Sequence, residues 1–372
     1  MASLAVAGIA GAADPTNLTS VKVDKAPTID GQVDSLWNSA PGVTLDVAGG
    51  ANLPASATKV NLYSVYTSDS VYFLAEYWDP SQSLRRAPWQ KQADGTWKKL
   101  SDPNDKGGDN NLVYEDKLAF LWNINDSIKG FNEIGCAAVC HAGEPPKPFG
   151  NKYTASKGEL GDIWHWKSVR TNPNSQIDDQ YLDDTRYDAT NSPEAGRKSD
   201  PKTAGGYSDN QTDDKKAPKY AAPDQKPAPP YWIFDKDKVA LDDTKYKAND
   251  EVAGIITAPI QGDRGDISAQ GAWKDGKWTL EWGRKLNTGS QFDVQYADLS
   301  KSYAFGVAVF DNAAVRHATS GLAKLTFEQA AAPAPTALPR TGGPTVPVLP
   351  IALGAGILAI LGFALRLKLA RR

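Results

Sequence analysis

Short runs in which apolar and polar residues alternate recur through this 372-residue chain, and they limit the possible folds more than any other feature. Such alternation, with aromatic and β-branched residues between turn residues, predicts strands that bury one face. Asp275-Gly276, between Trp273 and Trp278, predicts a tight hairpin turn. The predicted strand segments are 59–66, 71–77, 117–123, 252–257, 273–282, 302–310 and 322–326.

These segments predict a mainly β fold. Residues 21–23 and 29–37 open the domain, and no long amphipathic helix is evident before residue 346. Many short strands separated by turn residues are typical of a β-sandwich. We therefore predict a β-sandwich domain over residues 20–328, with long irregular insertions.

The longest predicted insertion is residues 170–230. It is rich in Asp, Asn, Pro, Gly and Lys and has few aliphatic residues. Long polar segments inside a domain are usually functional or flexible. Tyrosines spaced through it favour packing against the domain, whereas 213–216 and 223–230 have the composition of flexible segments.

Two Asp-Asp steps lie within this insertion. Clustered carboxylates bind Ca²⁺ in some proteins, but the spacing is not that of an EF-hand. The favoured interpretation is a solvated acidic loop. The residues concerned are Asp178, Asp179, Asp183 and Asp184.

Cys136 and Cys140 are the only cysteines, and His141 directly follows the second. Two cysteines and an adjacent histidine are the attachment signature of c-type haem: the thiols add to the porphyrin vinyl groups, and the histidine becomes an axial iron ligand. The spacer here is one residue longer than usual. The alternatives are a structural disulfide in an exported protein and an isolated metal site, although zinc normally requires four protein ligands.

The second axial ligand has few possible sources. Met1 is the only methionine, and its loss with a signal peptide would exclude a His/Met-ligated iron. His165, His317, a lysine or no residue at all then remain.

Aromatic and basic neighbours accompany the two further histidines. Trp164 and Trp166 flank His165 and are expected to pack against a porphyrin, with His165 bonding a propionate. Arg316, beside His317, is a second candidate partner for a propionate.

The two ends of the chain carry targeting patterns. Residues 1–13 are apolar and small and are interpreted as the remnant of a signal peptide, which agrees with haem attachment outside the cytoplasm. The 41 basic and 44 acidic residues leave no excess positive charge for nucleic-acid binding.

The C-terminal pattern begins with an Ala/Pro linker at 329–345. An apolar run follows at 346–365, long enough to span about 30 Å as a helix, and the tail 366–372 is basic. The arrangement resembles a sortase sorting signal with cleavage between Thr341 and Gly342; a plain membrane anchor is the alternative. Either interpretation predicts an extracytoplasmic, cell-surface protein. The sorting residues are Leu338, Pro339, Thr341 and Gly342.

Three blocks, at residues 29–37, 163–167 and 311–318, together resemble the haem-binding domain of ethylbenzene dehydrogenase-related proteins. These include cytochrome subunits that accompany molybdenum enzymes of the dimethyl sulfoxide reductase family. The resemblance covers about residues 20–328. It implies a β-sandwich similar to family 9 carbohydrate-binding modules.

The resemblance also implies where the iron ligands lie. In the enzyme-associated subunits a methionine and a lysine hold a b-type haem. This chain has 136–141 at the place of the methionine and His317 at the place of the lysine, so it departs from the pattern at both ligands. By position, His141 and His317 are the favoured axial pair, with His165 as second choice.

The sequence thus predicts a surface-anchored c-type cytochrome with one covalent haem, which exchanges electrons with a redox partner protein of unknown identity. It is expected to be an electron carrier rather than a catalytic subunit. One alternative is a carbohydrate- or wall-binding module with a Cys136–Cys140 disulfide. Another is a haem subunit of a molybdenum oxidoreductase.

Overall fold

Strands make up most of the regular structure in the computed structural model, which describes residues 15–104, 112–139 and 152–329. In chain order the strands are β1 (Thr16–Lys22), β2 (Val43–Ala48), β3 (Ala57–Tyr66), β4 (Ser70–Trp78), β5 (Trp89–Lys91), β6 (Trp97–Lys99), β7 (Lys117–Asn123), β8 (Gly161–Lys167), β9 (Asp178–Leu182), β10 (Arg197–Ser199), β11 (Ala204–Asp209), β12 (Tyr220–Ala221), β13 (Trp232–Phe234), β14 (Val239–Ala240), β15 (Glu251–Val252), β16 (Ile255–Gln261), β17 (Ser268–Lys274), β18 (Lys277–Lys285), β19 (Tyr303–Phe310), β20 (Ala318–Ser320) and β21 (Ala323–Phe327).

Helices are short in the part of the chain that the structure describes. One α-helix, α1, spans Phe131–Ile134. The 3₁₀ helices span Ser35–Ser39, Pro54–Ser56, Ile124–Asp126, Gly135–Val139, Asn172–Asn174, Asp243–Lys245 and Asp263–Gly265.

The main sheet doubles back on itself. Its order is β10-β9-β8-β7-β19-β20-β2-β3-β4-β18-β17, and β1 and β21 form a second connection between β3 and β19. The two arms are therefore joined through β20 and β2 and again through β21 and β1. Neighbours are antiparallel except at β1, which runs parallel to β3 and β21.

The two arms face each other across an aromatic core. Phe73 on β4 contacts Trp164 on β8, with ring centroids 5.6 Å apart. Trp166 on β8 meets Trp278 on β18 at 4.8 Å. These side chains are fully buried, and they identify the arrangement as a sandwich whose interior large aromatic residues fill.

The predicted strand segments coincide with strands of the structure. Segment 117–123 has the predicted bounds, and 252–257 is divided between β15 and β16. The hairpin prediction is confirmed, because Asp275 and Gly276 connect β17 to β18 with φ angles of 52° and 81°. Two successive positive φ angles are the requirement of a type I′ turn.

The insertion at 170–230 carries more structure than its composition suggests. β9 and β10 extend the main sheet beyond β8, and β11 pairs with β16 in a smaller sheet. The solvated-loop prediction is wrong for Asp178 and Asp179, which lie on β9 and are fully buried. Pairing with β8 takes both of them out of water.

The segment 29–37 near the N-terminus, which contains Asp30, Gly31 and Trp37, has a structural role. The Glu281 carboxylate on β18 accepts hydrogen bonds from the backbone N–H groups of Asp30 (3.1 Å) and Gly31 (2.9 Å) and from Trp37 Nε1 (2.7 Å). Trp37 is buried. One buried carboxylate thus fixes the segment that enters the domain.

The described residues, from 15 to 329 with the gaps given above, belong to one compact unit. None of their helices is long and apolar enough to cross a membrane. Several predictions lie outside the described residues: Cys140, His141, the signal-peptide remnant 1–13, the sorting residues from Leu338 to Gly342, the apolar run 346–365 and the tail 366–372.

Candidate functional site

A cavity of about 260 Å³ lies against the side-by-side strands β7, β8 and β19. Ala119, Gly306 and Ala308 line it, and Ala119 and Ala308 are direct cross-strand neighbours. The next residue along each strand, Phe120 on β7 and Val307 on β19, has its side chain in the aromatic core. Because side chains alternate along a strand, the cavity lies on the face of the sheet opposite that core. Small side chains on this face leave room for a ligand.

The 3₁₀ helix Gly135–Val139 presses Cys136 against this face. A Cβ on Gly306 would lie 3.0 Å from the Cys136 sulfur, so a side chain there would push against Cys136. Gly135 has φ = 64°, and a Cβ on it would lie 3.0 Å from Leu322 Cα. Cys136 lines the cavity, with Sγ 3.9 Å from the Ser320 carbonyl oxygen.

His165 projects into the same cavity from β8. Its Nδ1 is 3.2 Å from Gln180 Oε1, while its buried Nε2 has no hydrogen-bond partner among the described residues. Burial, followed by the charges of Lys167 and Lys117, lowers the pKa of His165 well below its usual value. With Nδ1–H donating to Gln180, the ring is neutral and directs an Nε2 lone pair at the cavity.

His317 reaches the cavity from the turn between β19 and β20. Its Nδ1 lies 2.5 Å from the Val315 carbonyl oxygen, so Nδ1 carries the proton that this oxygen accepts. A backbone carbonyl on one ring nitrogen is the usual device that orients a metal-ligating histidine through the other. The Phe310 ring separates the two imidazoles, with its centroid 4.6 Å from His317 and 5.6 Å from His165.

Cations line the cavity without acidic neighbours in the lining. Lys117 is buried, donates to the Ala314 carbonyl oxygen at 2.9 Å and lies over the Phe310 ring at 3.9 Å. Burial lowers the pKa of Lys117 well below its usual value. The described lining contains no Asp or Glu, but Glu115 outside it pairs with Arg170, and Glu194 pairs with Lys152 and Arg197. The lining cations are Lys117, Lys152, Arg170 and Arg197.

The structure brings together part of the predicted site. Cys136, His165 and His317 line one cavity. Cys140 and His141 lie outside the described residues, but Val139 and Lys152, the residues that bound that segment, both line the cavity.

The predicted aromatic and arginine contacts are placed elsewhere. Trp164 and Trp166 are fully buried in the core on the opposite face of β8, because they alternate with His165. Arg316 is not among the lining residues; its carbonyl accepts the Ala51 N–H at 3.1 Å.

Sequence reasoning missed the cations of the lining. The position of Lys117 could have been predicted, because alternate residues of a strand share a face and Lys117 shares its face with Ala119 and Leu121. Arg170 and Arg197 follow β8 and begin β10, and no local pattern indicates that both face one cavity.

Fold and cavity together define a mainly β protein whose sheet carries an apolar pocket with a thiol, two imidazoles and a set of cations. The chain belongs to the ethylbenzene dehydrogenase family, whose profile matches residues 34–320. That match includes the cysteine and both histidines of the cavity.

Solved structures similar to this chain include a family 9 carbohydrate-binding module from Caldicellulosiruptor kristjanssonii in complex with cellotriose. It has 11% identity and a TM-score of 0.32, and the similarity covers 90% of this chain and 100% of that chain. The glucose complex of such a module from the same organism has 10% identity and a TM-score of 0.30, covering 87% and 100%. No curated protein matches the chain.

Proposed function

We propose that this protein binds one haem covalently in the cavity and carries electrons. The observation that supports the proposal is the convergence of Cys136, His165 and His317 on a single cavity. The three residues come from a 3₁₀ helix, a strand and a turn that are far apart in the sequence. A thiol for covalent attachment and imidazoles for iron are the donors that a c-type haem requires.

The surroundings fit such a group. The floor is apolar and made of small side chains, which suits a flat ring. The buried His165 Nε2 has no hydrogen-bond partner among the described residues, and its lone pair could ligate iron, which is why His165 is the second choice for the axial position. A propionate would find partners in Lys117 and, by sharing them with Glu115 and Glu194, in Arg170 and Arg197.

Bound haem would supply one-electron chemistry between ferric and ferrous iron. The side chains of this protein would hold the haem and ligate its iron. Cys136 and Cys140 would anchor it, and His141 and His317 would ligate the iron, with His165 as the second choice for His317. Val315 holds the His317 ring in the tautomer that presents Nε2. Two imidazole ligands would leave no open coordination position, which favours electron transfer over substrate activation.

A pyridine haemochrome spectrum of the purified protein tests the proposal. We expect a c-type spectrum and a haem that stays with the protein on acid-acetone extraction. Absence of a Soret band, in protein produced with its haem-attachment machinery, would refute covalent haem binding.

Variants separate the two histidines. We expect His317→Ala to change the low-spin spectrum of the iron and His165→Ala to leave it bis-imidazole. The reverse result would make His165 the ligand. Cys136→Ser should leave a single thioether, read as a shifted haemochrome band. A matched control is Ser320→Ala, which also alters the lining but removes no iron ligand.

We further propose that the domain faces outward and is held at the membrane or wall by its C-terminal segment. Support comes from the sequence patterns at 1–13 and 338–372. Intact-mass measurement of the mature protein tests both ends. Cleavage between Thr341 and Gly342 would indicate sortase processing, and an uncleaved C-terminus would indicate a membrane anchor.

A haem subunit of a larger oxidoreductase is a second candidate, and the family membership favours it. In that case the redox partner would be a molybdenum-containing catalytic subunit. Co-purification of a large partner from the native source would support this candidate. A chain isolated alone under mild conditions would count against it.

A carbohydrate- or wall-binding module is the third candidate. Trp78 is 53% exposed, and an exposed aromatic ring can stack on a sugar. Binding to wall polysaccharide that Trp78→Ala abolishes, in protein without haem, would establish this function in place of electron transfer.

A further inference from the structure

Four aspartates converge on the core side of the sheet, away from the cavity. Asp162 lies on β8, Asp179 on β9 and Asp293 in the segment between β18 and β19. One carboxylate oxygen from each lies within 4.8 Å of those of the other two. Asp200, which follows β10, donates its N–H to the Asp179 carbonyl oxygen at 3.2 Å. All four are at most 3% exposed.

We propose that these four carboxylates form a Ca²⁺ site that ties the insertion strands β9 and β10 to the sandwich. The site is separate from the haem cavity, because Asp162 and Asp179 lie on the opposite face of the sheet from His165. It also does not depend on the proposed function.

In three of these aspartates, one carboxylate oxygen accepts a hydrogen bond from a described residue and the other does not. Asp162 Oδ2 accepts the Val294 N–H at 2.9 Å, Asp179 Oδ1 accepts the Gln180 N–H at 3.0 Å, and Asp293 Oδ2 accepts the Thr288 hydroxyl at 2.6 Å. The other oxygen of each carboxylate is buried and has no hydrogen-bond partner among the described residues. Protein donors therefore orient each group and leave one oxygen for another ligand.

Asp200 adds an independent observation. Both of its carboxylate oxygens are buried without a hydrogen-bond partner in the described structure. Its backbone hydrogen bond to the Asp179 carbonyl oxygen places it next to the other three aspartates. A polar group in this position is costly to bury unless a ligand satisfies it.

The charge balance calls for a cation. Arg284 is the basic side chain paired with the cluster: its Nη1 lies 3.2 Å from Asp162 Oδ2 and 3.5 Å from Asp293 Oδ2. Four carboxyl groups against one guanidinium cannot all ionise in a buried site unless a further cation is present. A divalent ion would allow them to ionise and would supply a partner for the unpartnered oxygens.

The donor set selects a hard ion. All the candidate ligands are oxygens, which favours Ca²⁺ or Mg²⁺ over zinc and other metals that prefer nitrogen or sulfur. Four protein carboxylates from separate segments suit the larger and more adaptable coordination of Ca²⁺. Mg²⁺ usually keeps several waters and takes one or two carboxylates.

Calcium titration of the chelator-treated full-length protein tests the site. We expect Ca²⁺ at a hundredfold excess over its dissociation constant to raise the melting temperature by about 5 °C, and Mg²⁺ to raise it less. Asp179→Asn and Asp293→Asn should each weaken Ca²⁺ binding by at least about tenfold. Asp298→Asn is the matched control: this exposed aspartate lies in the same segment as Asp293, and its carboxylate contacts its sequence neighbours Ser300 and Lys301.

Terbium provides a readout that needs no variant. Trp164 Nε1 donates to Asp162 Oδ2 at 3.0 Å, so Tb³⁺ in the site should show tryptophan-sensitised luminescence that Ca²⁺ displaces. Absence of both this signal and the melting shift in the unmodified protein would overturn the proposal and leave the acids as carboxyl pairs that share protons. An unchanged Ca²⁺ response in Asp179→Asn would also overturn it, since the ion would then bind elsewhere.

Discussion

Glycine and alanine shape the cavity as much as its reactive side chains do. Gly306 lets the Cys136 sulfur approach β19. The small side chains of Ala119 and Ala308 leave space above the sheet face that lines the cavity. The thiol and the imidazoles could be predicted from the sequence because their residue types are rare and chemically distinctive. The small residues could not, since alanine and glycine in a strand have no chemistry that marks them as a floor.

A side chain at position 306 should displace Cys136. We expect Gly306→Val to lower the free energy of unfolding by about 1–3 kcal/mol, because overpacking forces its neighbours to move. Gly321→Val is the control: a Cβ there meets no atom within 4 Å, and we expect a change within about 0.5 kcal/mol. Urea denaturation measures both, and equal losses would contradict the role given to Gly306.

At the scale of elements, buried carboxylates hold irregular segments and turns against the strands. Glu281 on β18 receives three N–H groups from the segment that precedes β2. Asp116, just before β7, accepts the Asn312 N–H at 3.0 Å and the Ser83 N–H at 2.7 Å, and so holds the turn that carries His317.

Removal of Glu281 should detach the N-terminal segment. We expect Glu281→Ala to cost about 3 kcal/mol of unfolding free energy, because buried donors would lose their acceptor. Glu76→Ala, on the neighbouring strand β4, removes a surface pair with Lys277 and should cost about 0.5 kcal/mol. Denaturant unfolding monitored by Trp37 and the other tryptophans measures the difference. A small loss in Glu281→Ala would mean that the segment is held by packing alone.

The turn that carries His317 should respond to pH through Asp79, Asp116 and Asp311, which lie together and are buried. Burial, followed by the charge of Asp311, raises the pKa of Asp79 to about 7. The folded state therefore holds a proton that the unfolded state releases near pH 4. Stability from this group is fully present below about pH 4 and is lost as the pH rises through about 7.

Asp79→Asn should remove this dependence. With a chelator present, we expect the wild-type unfolding free energy to fall by up to about 1.4 kcal/mol per pH unit for this one proton between about pH 4 and pH 7, and the variant to lack that contribution. Asp46→Asn, which alters an exposed pair with Lys59, should follow the wild type. Parallel curves for wild type and Asp79→Asn would show that Asp79 is not protonated in the folded state.

At the scale of the whole molecule, stability depends on the aromatic interface between the two arms. Phe120 on β7 contacts Trp282 on β18, with ring centroids 5.0 Å apart, and Phe73 stacks on the same tryptophan at 5.3 Å. Polar contacts also cross between the arms, among them the ion pair of Arg284 on β18 with Asp162 on β8, and strand pairings join the arms through β20 and β21.

Truncation at this interface should be far costlier than truncation at the surface. We expect Trp282→Ala to lower the unfolding free energy by about 3–5 kcal/mol, since it leaves a large cavity in the core. Trp78→Ala, which removes a half-exposed ring from β4, should cost about 1 kcal/mol or less. Calorimetric unfolding of both variants measures this. Similar melting temperatures would refute a shared aromatic core.

The sequence by itself determined seven of the strand-forming segments, where the β17–β18 hairpin turns and which residues bear the distinctive chemistry. Those properties follow from local alternation, turn preference and residue type, which act over a few positions. Tertiary structure alone decided that Cys136, His165 and His317 share a cavity, that Lys117 joins them, and that Asp179 is buried near Asp162 rather than solvated. The physical reason is that strand order and register, set by packing of the whole core, choose which distant side chains meet and which leave water.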